Sequence, residues 1–281
     1  MSVLGILTCE ILELEFANLL ASDTDLTRVT VLKDSRSERL IEMLELSRIP
    51  KLKKIKDFSE FDPHSDNQLE ILVQVLELAL HNRKRTLQQG IKEAAMVFGP
   101  HVDALMLGYG LCGNALEKPE QLLADAGVPV FIPMDDDHPV DDCVGLIIGG
   151  RQRYYDEQCN VAGTFFMIPG WTSHWRRMFE QEFGNWSLDM AKRLFRDYER
   201  SLLVTTPHMS VEIMRQNSEA FNNLFELRTE VCEGTLKLLH DTWLSTKAFL
   251  TSAPKRERER GELNVKEILC SDLRKSKRYV K

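Results

Sequence analysis

The chain has 281 residues, is 43% hydrophobic and 28% charged, and carries a formal net charge of −7. This composition is that of an ordinary globular protein, and no apolar run is long enough to span a membrane. Residues 255–281 hold ten Lys and Arg against five Asp and Glu, so the first 254 residues sum to −12. An acidic body argues against a broad nucleic-acid surface. Since the first residues lack the features of a secretory signal, we expect a cytoplasmic protein.

Short apolar runs alternate with helical patterns along the chain, and each run is typical of a strand buried on both faces. In chain order these runs are Val3–Thr8, Arg28–Lys33, Val102–Leu107, Val128–Met134, Ala162–Ile168, Ser201–Thr205 and Leu224–Thr229. The interval of about residues 35–100 shows helical spacing from Leu69 to Phe98. We therefore predict a Rossmann-like α/β fold, a mostly parallel sheet with helices on both faces and a helical insertion after the second strand.

The domain organisation follows from the same alternation. Residues 1–254 form a single α/β domain, which can also be divided into two lobes near residue 150, at Gly149–Gly150. Residues 255–281 form a basic tail that we expect to be partly ordered. We expect the 35–100 insertion to form either a helical layer or the contact surface of a homodimer.

A glycine-rich loop follows the third predicted strand. Three glycines in six residues remove Cβ atoms from a strand-to-helix connection, which lets the backbone and a cysteine approach a bound group closely. The spacing is neither that of a dinucleotide-binding loop nor that of a P-loop. The candidate ligand-binding residues of this loop are Gly108, Tyr109, Gly110, Gly113 and Asn114.

Three of the six cysteines fall at the predicted carboxyl edge of the sheet. Cys9 ends the first strand, Cys112 lies in the glycine loop, and Cys143 follows a helix cap at Asp141 or Asp142, where the helix start is expected to lower a thiol pKa. Because ligands of open parallel sheets bind at this edge, the three thiols are candidates for a metal site. Converging thiolates suit zinc, nickel, cobalt, copper(I) or an iron–sulfur cluster. The alternative is that they pack as small buried hydrophobic side chains.

Aromatic residues and further glycines are also predicted to lie at the carboxyl edge of the sheet. Tyr109 and the tryptophans Trp171 and Trp175, placed on an exit loop, are candidates for the walls of a slot that takes a planar heterocycle such as a pterin, flavin or tetrapyrrole. Gly163, Thr164 and Gly170 belong to the same candidate binding set. His138, between Asp137 and Pro139, is either a ligand or proton carrier or a solvated turn residue.

Four segments together resemble the domain of unknown function 1638 family, over most of residues 3–245. The segments are residues 6–11 (Ile-Leu-Thr-Cys-Glu-Ile), 108–114 (Gly-Tyr-Gly-Leu-Cys-Gly-Asn), 141–149 (Asp-Asp-Cys-Val-Gly-Leu-Ile-Ile-Gly) and 163–171 (Gly-Thr-Phe-Phe-Met-Ile-Pro-Gly-Trp). The resemblance implies a context in methanogens and related anaerobes, beside corrinoid-dependent methyl transfer. One departure is that Asp141 stands where the family pattern has a histidine.

The leading hypothesis is a metal- and cofactor-binding protein that serves corrinoid-dependent one-carbon methyl transfer. In it, Cys9, Cys112 and Cys143 hold nickel, cobalt or zinc together with a pterin or a corrinoid, and the partner is a corrinoid protein or a methyltransferase. One alternative is a metal-free enzyme in which Cys112 or Cys143 acts on a small methylated substrate. Another is a module that docks a methyltransferase.

Overall fold

The computed structural model describes residues 2–49, 51–63, 69–78, 83–184 and 188–252, without the side chains of residues 182 and 183. The predicted tail at 255–281 and Cys270 lie outside the described residues. In the described part of the chain, no helix has both the length and the apolar character needed to cross a membrane.

The largest sheet among the described residues has six parallel strands. They are β1 (Ser2–Cys9), β2 (Leu26–Leu32), β3 (Leu52–Ile55), β4 (Leu69–Leu76), β5 (Ala104–Gly108) and β6 (Val130–Phe131), in the order β3-β2-β4-β1-β5-β6. Every residue of β1 after Ser2 is buried, as is every residue of β5. Because side chains alternate between the two faces of a strand, continuous burial means that both faces are covered by helices. The predicted Rossmann-like α/β fold is confirmed.

The helical insertion predicted after the second strand is wrong, because that interval contains β3 and β4. The central strand β4 was read as the start of a helix that ran from Leu69 to Phe98. Its sequence, Leu-Glu-Ile-Leu-Val-Gln-Val-Leu, is a short apolar run whose period does not separate a buried strand from a buried helix. Only the second half of the interval is helical, as α3.

The helices of this first lobe are α1 (Glu13–Ser22), α2 (Glu38–Leu46), α3 (Lys84–Phe98) and the short α4 (Pro119–Leu122). A small antiparallel pair, β7 (Met134–Asp135) and β8 (His138–Pro139), leads to α5 (Cys143–Ile148). Gly149 and Gly150 follow, both with positive φ angles, and separate α5 from the second lobe.

The second lobe is built on a smaller parallel sheet in the order β11-β10-β9. In chain order its elements are α6 (Arg151–Asn160), β9 (Thr164–Met167), α7 (Pro169–Phe183), α8 (Leu188–Phe195), β10 (Arg200–Thr205), α9 (Val211–Phe225) and β11 (Arg228–Glu233). Trp175, Phe195, Phe221 and Phe225 belong to a second core cluster, which also includes Leu14 of the first lobe. The two sheets thus lie on either side of Gly149–Gly150 in the sequence.

The last described helix, α10 (Lys237–Ser252), returns to the first lobe. There the indole of Trp243 donates a hydrogen bond of 2.7 Å to Asp23 Oδ2, and Lys247 Nζ donates to the same oxygen at 2.6 Å. Lys247 also pairs with Asp25 at 2.9 Å. The chain therefore crosses between the lobes twice, so the first lobe is built from two segments of sequence and the second lobe from one.

Helix α7 contacts the first lobe directly through a glycine. A Cβ atom on Gly170 would lie 1.9 Å from the carbonyl oxygen of Ile11, so only glycine allows this approach. Four residues later His174 Nε2 lies 2.8 Å from Glu13 Oε1, and Arg177 Nη2 lies 2.7 Å from Glu10 Oε2. One face of α7 is thereby fixed to the residues that follow Cys9.

The Gly170→Ala substitution should lower the free energy of unfolding by about 1–3 kcal/mol, because the added methyl group forces the two backbones apart. Urea unfolding followed by circular dichroism measures this change. The matched control is Gly145→Ala in α5, where the nearest atom to the added Cβ is 3.5 Å away. Equal stability of the two variants would contradict the proposed close contact.

Candidate functional site

The carboxyl edge of the large sheet brings Cys9 and the glycine loop together. In the register of β1 against β5, Thr8 lies opposite Gly108. Cys9 and Tyr109 are therefore the next residues on two adjacent strands, and both leave the sheet at the same edge. A Cβ on Gly108 would lie 2.3 Å from Thr8 Oγ1, so glycine is required for the chain to leave the sheet here.

Backbone hydrogen bonds bring the Cys143 segment to the same loop. Leu111 N donates to Val140 O and Cys112 N donates to Asp141 O, both at 2.8 Å. A Cβ on Gly110 would lie 2.7 Å from the backbone of Asp142. Asp142 then caps α5 by accepting a hydrogen bond of 2.7 Å from Gly145 N, which places Cys143 at the first position of the helix.

The thiols of Cys9, Cys112 and Cys143 are close enough to influence one another electrostatically. Burial, with smaller contributions from Cys112 and Glu10, raises the pKa of Cys9 to about 12. Burial also raises the pKa of Cys143 well above its ordinary value, with smaller contributions from Asp142, Cys112 and Cys9. The structure thus brings the three cysteines together at one sheet edge, where each thiol is protonated at neutral pH.

The lowered thiol pKa expected for Cys143 from its place at a helix start is wrong. Helix α5 has only six residues, so its dipole is small, and the carboxylate of Asp142 stands directly before the cysteine. Burial and this carboxylate both favour the neutral thiol. Cys112 has the same environment, since burial and Asp142 raise its pKa as well.

Cys112 itself has a left-handed backbone conformation, with φ of 47°, and is followed by Gly113 at 66° and Asn114 at 59°. A residue other than glycine is strained in this region, and such strain is concentrated at functional sites. Gly113 and Asn114 are exposed, and a Cβ on Gly113 would meet no atom within 4 Å. Asn114 borders an open polar cavity of about 350 Å³ that also contacts Lys84 and Lys118.

The described residues contain no set of three or more His, Cys, Asp or Glu side chains already arranged as a metal site. The three sulfur atoms are therefore neighbours, but they are not arranged with the geometry of a metal site. Cys159 is exposed on α6 and Cys232 is half-buried on β11, both in the second lobe. His138 is exposed, and its Nδ1 lies 2.7 Å from the carbonyl oxygen of Pro139.

The tryptophans lie in helix α7 and not in the exit loop expected from the sequence. Together with seven other side chains they line a half-enclosed cavity of about 250 Å³ in the second lobe. The full lining is Phe165, Trp171, Trp175, Met178, Phe179, Leu194, Phe195, Tyr198 and Phe221. None of residues 108–114 contributes to it, so the structure divides the candidate binding residues between two places.

Gly163 and Thr164 have structural partners within the second lobe. The Thr164 hydroxyl donates to Val161 O at 2.5 Å and accepts from Arg200 Nε at 2.8 Å. A Cβ on Gly163 would lie 2.5 Å from the carbonyl oxygen of Asp197. Both residues are thereby explained by packing around the buried Arg200.

Sequence reasoning missed a row of buried carboxyl groups directly after Cys9. Glu10 accepts hydrogen bonds from Leu78 N at 2.9 Å and pairs with Arg177, and Glu13 pairs with Arg39 at 3.0 Å and with His174. Glu15 is fully buried, and neither of its oxygens has a partner outside its own residue among the described residues. Three glutamates within the apolar run Ile6–Leu20 were the signal available in the sequence.

The family comparison gives one match. A profile of the family described as "Protein of unknown function (DUF1638)" matches residues 75–243, which is more than half of the chain. The chain belongs to this family. The match includes Cys112 and Cys143, whereas Cys9 lies before it.

The other two comparisons add no functional information. The curated proteins give no match. Among solved structures, an N-acetyl-L-ornithine transcarbamylase is similar at 14% identity, over 80% of this chain and 66% of that one, with a TM-score of 0.18. This chain thus spans just under two thirds of that enzyme, and a score this low carries no argument about fold or function.

Glu15→Gln should stabilise the protein in a pH-dependent way. Burial raises the pKa of Glu15 to about 7 from 4.5, so the wild-type carboxyl group loses stabilisation as pH rises from 4.5 to 7. The advantage of the variant should be near zero at pH 4.5 and level off above pH 7 at about 3 kcal/mol or less. Urea unfolding across this pH range measures it.

Glu13→Gln is the matched control, because Glu13 has charged partners that Glu15 lacks. Its replacement leaves Arg39 and His174 without their carboxylate and should destabilise the protein at pH 7. A Glu15→Gln advantage that does not change with pH would contradict the assignment of a buried, unpaired carboxyl group.

Proposed function

We propose that the protein binds a thiophilic divalent metal ion, namely cobalt, nickel or zinc, through Cys9, Cys112 and Cys143. The observation that carries this proposal is the convergence of three thiols from separate strand-to-helix crossings at one sheet edge. Thiolates at one site suit these metals. Binding would draw the three sulfurs together by rotation about the Cα–Cβ bonds, each of which has three staggered positions.

The charges around the thiols also support a cation. The Asp142 carboxyl group lies near Cys112 and Cys143, and its hydrogen bond comes from a backbone N–H and not from a Lys or Arg. The guanidinium group of Arg177 is held by Glu10, the residue after Cys9. A metal ion supplies the positive charge that three thiolates need in a buried setting, and it deprotonates them by coordination.

The raised thiol pKa values weigh against the metal-free thiol enzyme. A nucleophilic cysteine acts as its thiolate and is normally found with a lowered pKa. Burial raises the pKa of Cys9 to about 12, so this thiol is protonated at pH 7. The same values suit ligands that lose their protons only when a metal arrives.

The aromatic cavity supports a second, organic component of the proposal. Drug-sized ligands occupy cavities of about 300–1,000 Å³, so a cavity of about 250 Å³ takes one or two fused rings and is too small for a macrocycle. A pterin ring therefore suits this cavity better than a corrinoid does. We place the corrinoid, on the resemblance alone, in a partner protein of a cytoplasmic methyl-transfer pathway.

Metal binding is tested by titrating the full-length, anaerobically purified chain with Co²⁺ in competition with a chelator. The variants Cys9→Ser, Cys112→Ser and Cys143→Ser should each weaken Co²⁺ binding at least about 100-fold, because each loses one thiolate ligand. Cys159→Ser and Cys232→Ser are the controls and should change the affinity less than about twofold. Failure of the wild type to retain one equivalent of Co²⁺ would refute the proposed metal site.

Ring binding is tested by calorimetric titration with pterin itself. The Trp171→Ala variant should bind about tenfold more weakly, because it loses one aromatic wall of the cavity. Tyr155→Ala removes an exposed aromatic ring on α6 and should have no effect. Equal affinity of the wild type and the Trp171 variant would contradict binding in this cavity.

A further inference from the structure

A tyrosine hydroxyl is buried beside two of the three thiols, those of Cys9 and Cys112. Tyr109 follows Gly108 in the glycine loop and is almost fully buried, at 3% exposure. Among the described residues, its hydroxyl makes no hydrogen bond of normal geometry. A buried polar group of this kind costs about 1–3 kcal/mol and calls for an explanation.

The surroundings of this hydroxyl are the proposed metal ligands. Cys9 and Cys112 both lie near it, and Cys9 lies close enough for the two side chains to influence each other as a weak hydrogen-bonded pair. Glu10 is also near, but its carboxylate is already held by Arg177 and by Leu78 N. The register of β1 against β5 explains the geometry, because it makes Cys9 and Tyr109 neighbours at the sheet edge.

We propose that Tyr109 is a positioning residue of the metal site, whose hydroxyl donates a hydrogen bond to the Cys9 thiolate when a metal ion is bound. This inference rests on the proposed function. A neutral thiol is a weak acceptor, whereas a metal-bound thiolate is a strong one, so the hydroxyl gains its partner only in the metal-bound protein.

The charge balance gives this hydrogen bond a role. Three thiolates and one divalent ion leave one net negative charge, and the carboxyl group of Asp142 nearby is held by the backbone N–H of Gly145. A neutral donor stabilises the excess charge on sulfur without adding a competing ligand. Groups that act on metal ligands in this way typically change metal affinity by 10–100-fold.

The experiment compares wild type, Tyr109→Phe and Tyr155→Phe by Co²⁺ titration and absorption spectroscopy under anaerobic conditions. Tyr109→Phe should bind Co²⁺ about tenfold more weakly, and its thiolate-to-cobalt charge-transfer band should shift to lower energy because the sulfur loses a donor. Tyr155→Phe removes an exposed hydroxyl on α6, away from both proposed sites, and should match the wild type. The metal-free Tyr109→Phe protein should be as stable as wild type or more so, since it loses an unpaired buried hydroxyl.

Three results overturn the inference. If the wild type fails to bind Co²⁺, the proposed function and the role of Tyr109 fall together. If the wild type binds and Tyr109→Phe matches it in affinity and spectrum, only the role of Tyr109 falls. If the d–d bands of the variant indicate a different coordination number, Tyr109 is a metal ligand and not a hydrogen-bond donor.

Discussion

The pairing register of β1 with β5 is the constraint on which the candidate site depends. It sets Thr8 opposite Gly108, so that Cys9 and Tyr109 emerge side by side. A shift of one residue would turn every side chain of β1 to the other face, and register is strongly specified where both faces are buried. The apolar residues that make the strand a core element therefore also fix the place of the first thiol.

The second constraint is the close approach of the backbone of residues 110–112 to that of residues 140–142. It requires glycine at position 110 and a left-handed conformation at Cys112, and it brings in Cys143 without any short sequence motif. Ligand sets of small zinc domains are recognised by spacing within a few residues. Here the spacing is supplied by three strand crossings, so a search for local patterns does not reveal it.

Much of the fold could be predicted from the sequence, because fully buried parallel strands leave continuous apolar runs. The runs at β1, β5, β9 and β10 were located correctly within a few residues. Strand β4 was missed because its apolar residues also fit a helical period, and β11 was placed four residues too early because α9 continues to Phe225. The hydrophobic period of a short apolar segment does not show whether it pairs with neighbouring strands, and this pairing decides whether the segment is a strand or a helix.

The site was predictable to a smaller extent. The convergence of Cys9, Cys112 and Cys143 followed from the rule that ligand groups collect at the carboxyl edge of parallel strands. The raised thiol pKa of Cys143 could not be predicted in this way. A helix start favours the thiolate, whereas burial and Asp142 favour the neutral thiol, and burial is visible only in the structure. The same holds for the Tyr109 hydroxyl, whose neighbours come from another strand.

Helix α7 connects the two candidate binding places. Trp171, Trp175 and Met178 repeat at helical spacing and line the aromatic cavity, while Gly170, His174 and Arg177 repeat at the same spacing on an adjacent face, about 100° around the helix. That second face is held against Ile11, Glu13 and Glu10, the residues that directly follow Cys9. Both faces belong to one rigid helix, and the contacts at Gly170 leave no room for it to slide. The position of the cavity is thus fixed relative to the first thiol by a backbone contact, the Arg177–Glu10 ion pair and the contact between His174 and Glu13. This gives two of the three glutamates in an otherwise apolar segment a role, since Glu10 and Glu13 orient the second lobe on the first.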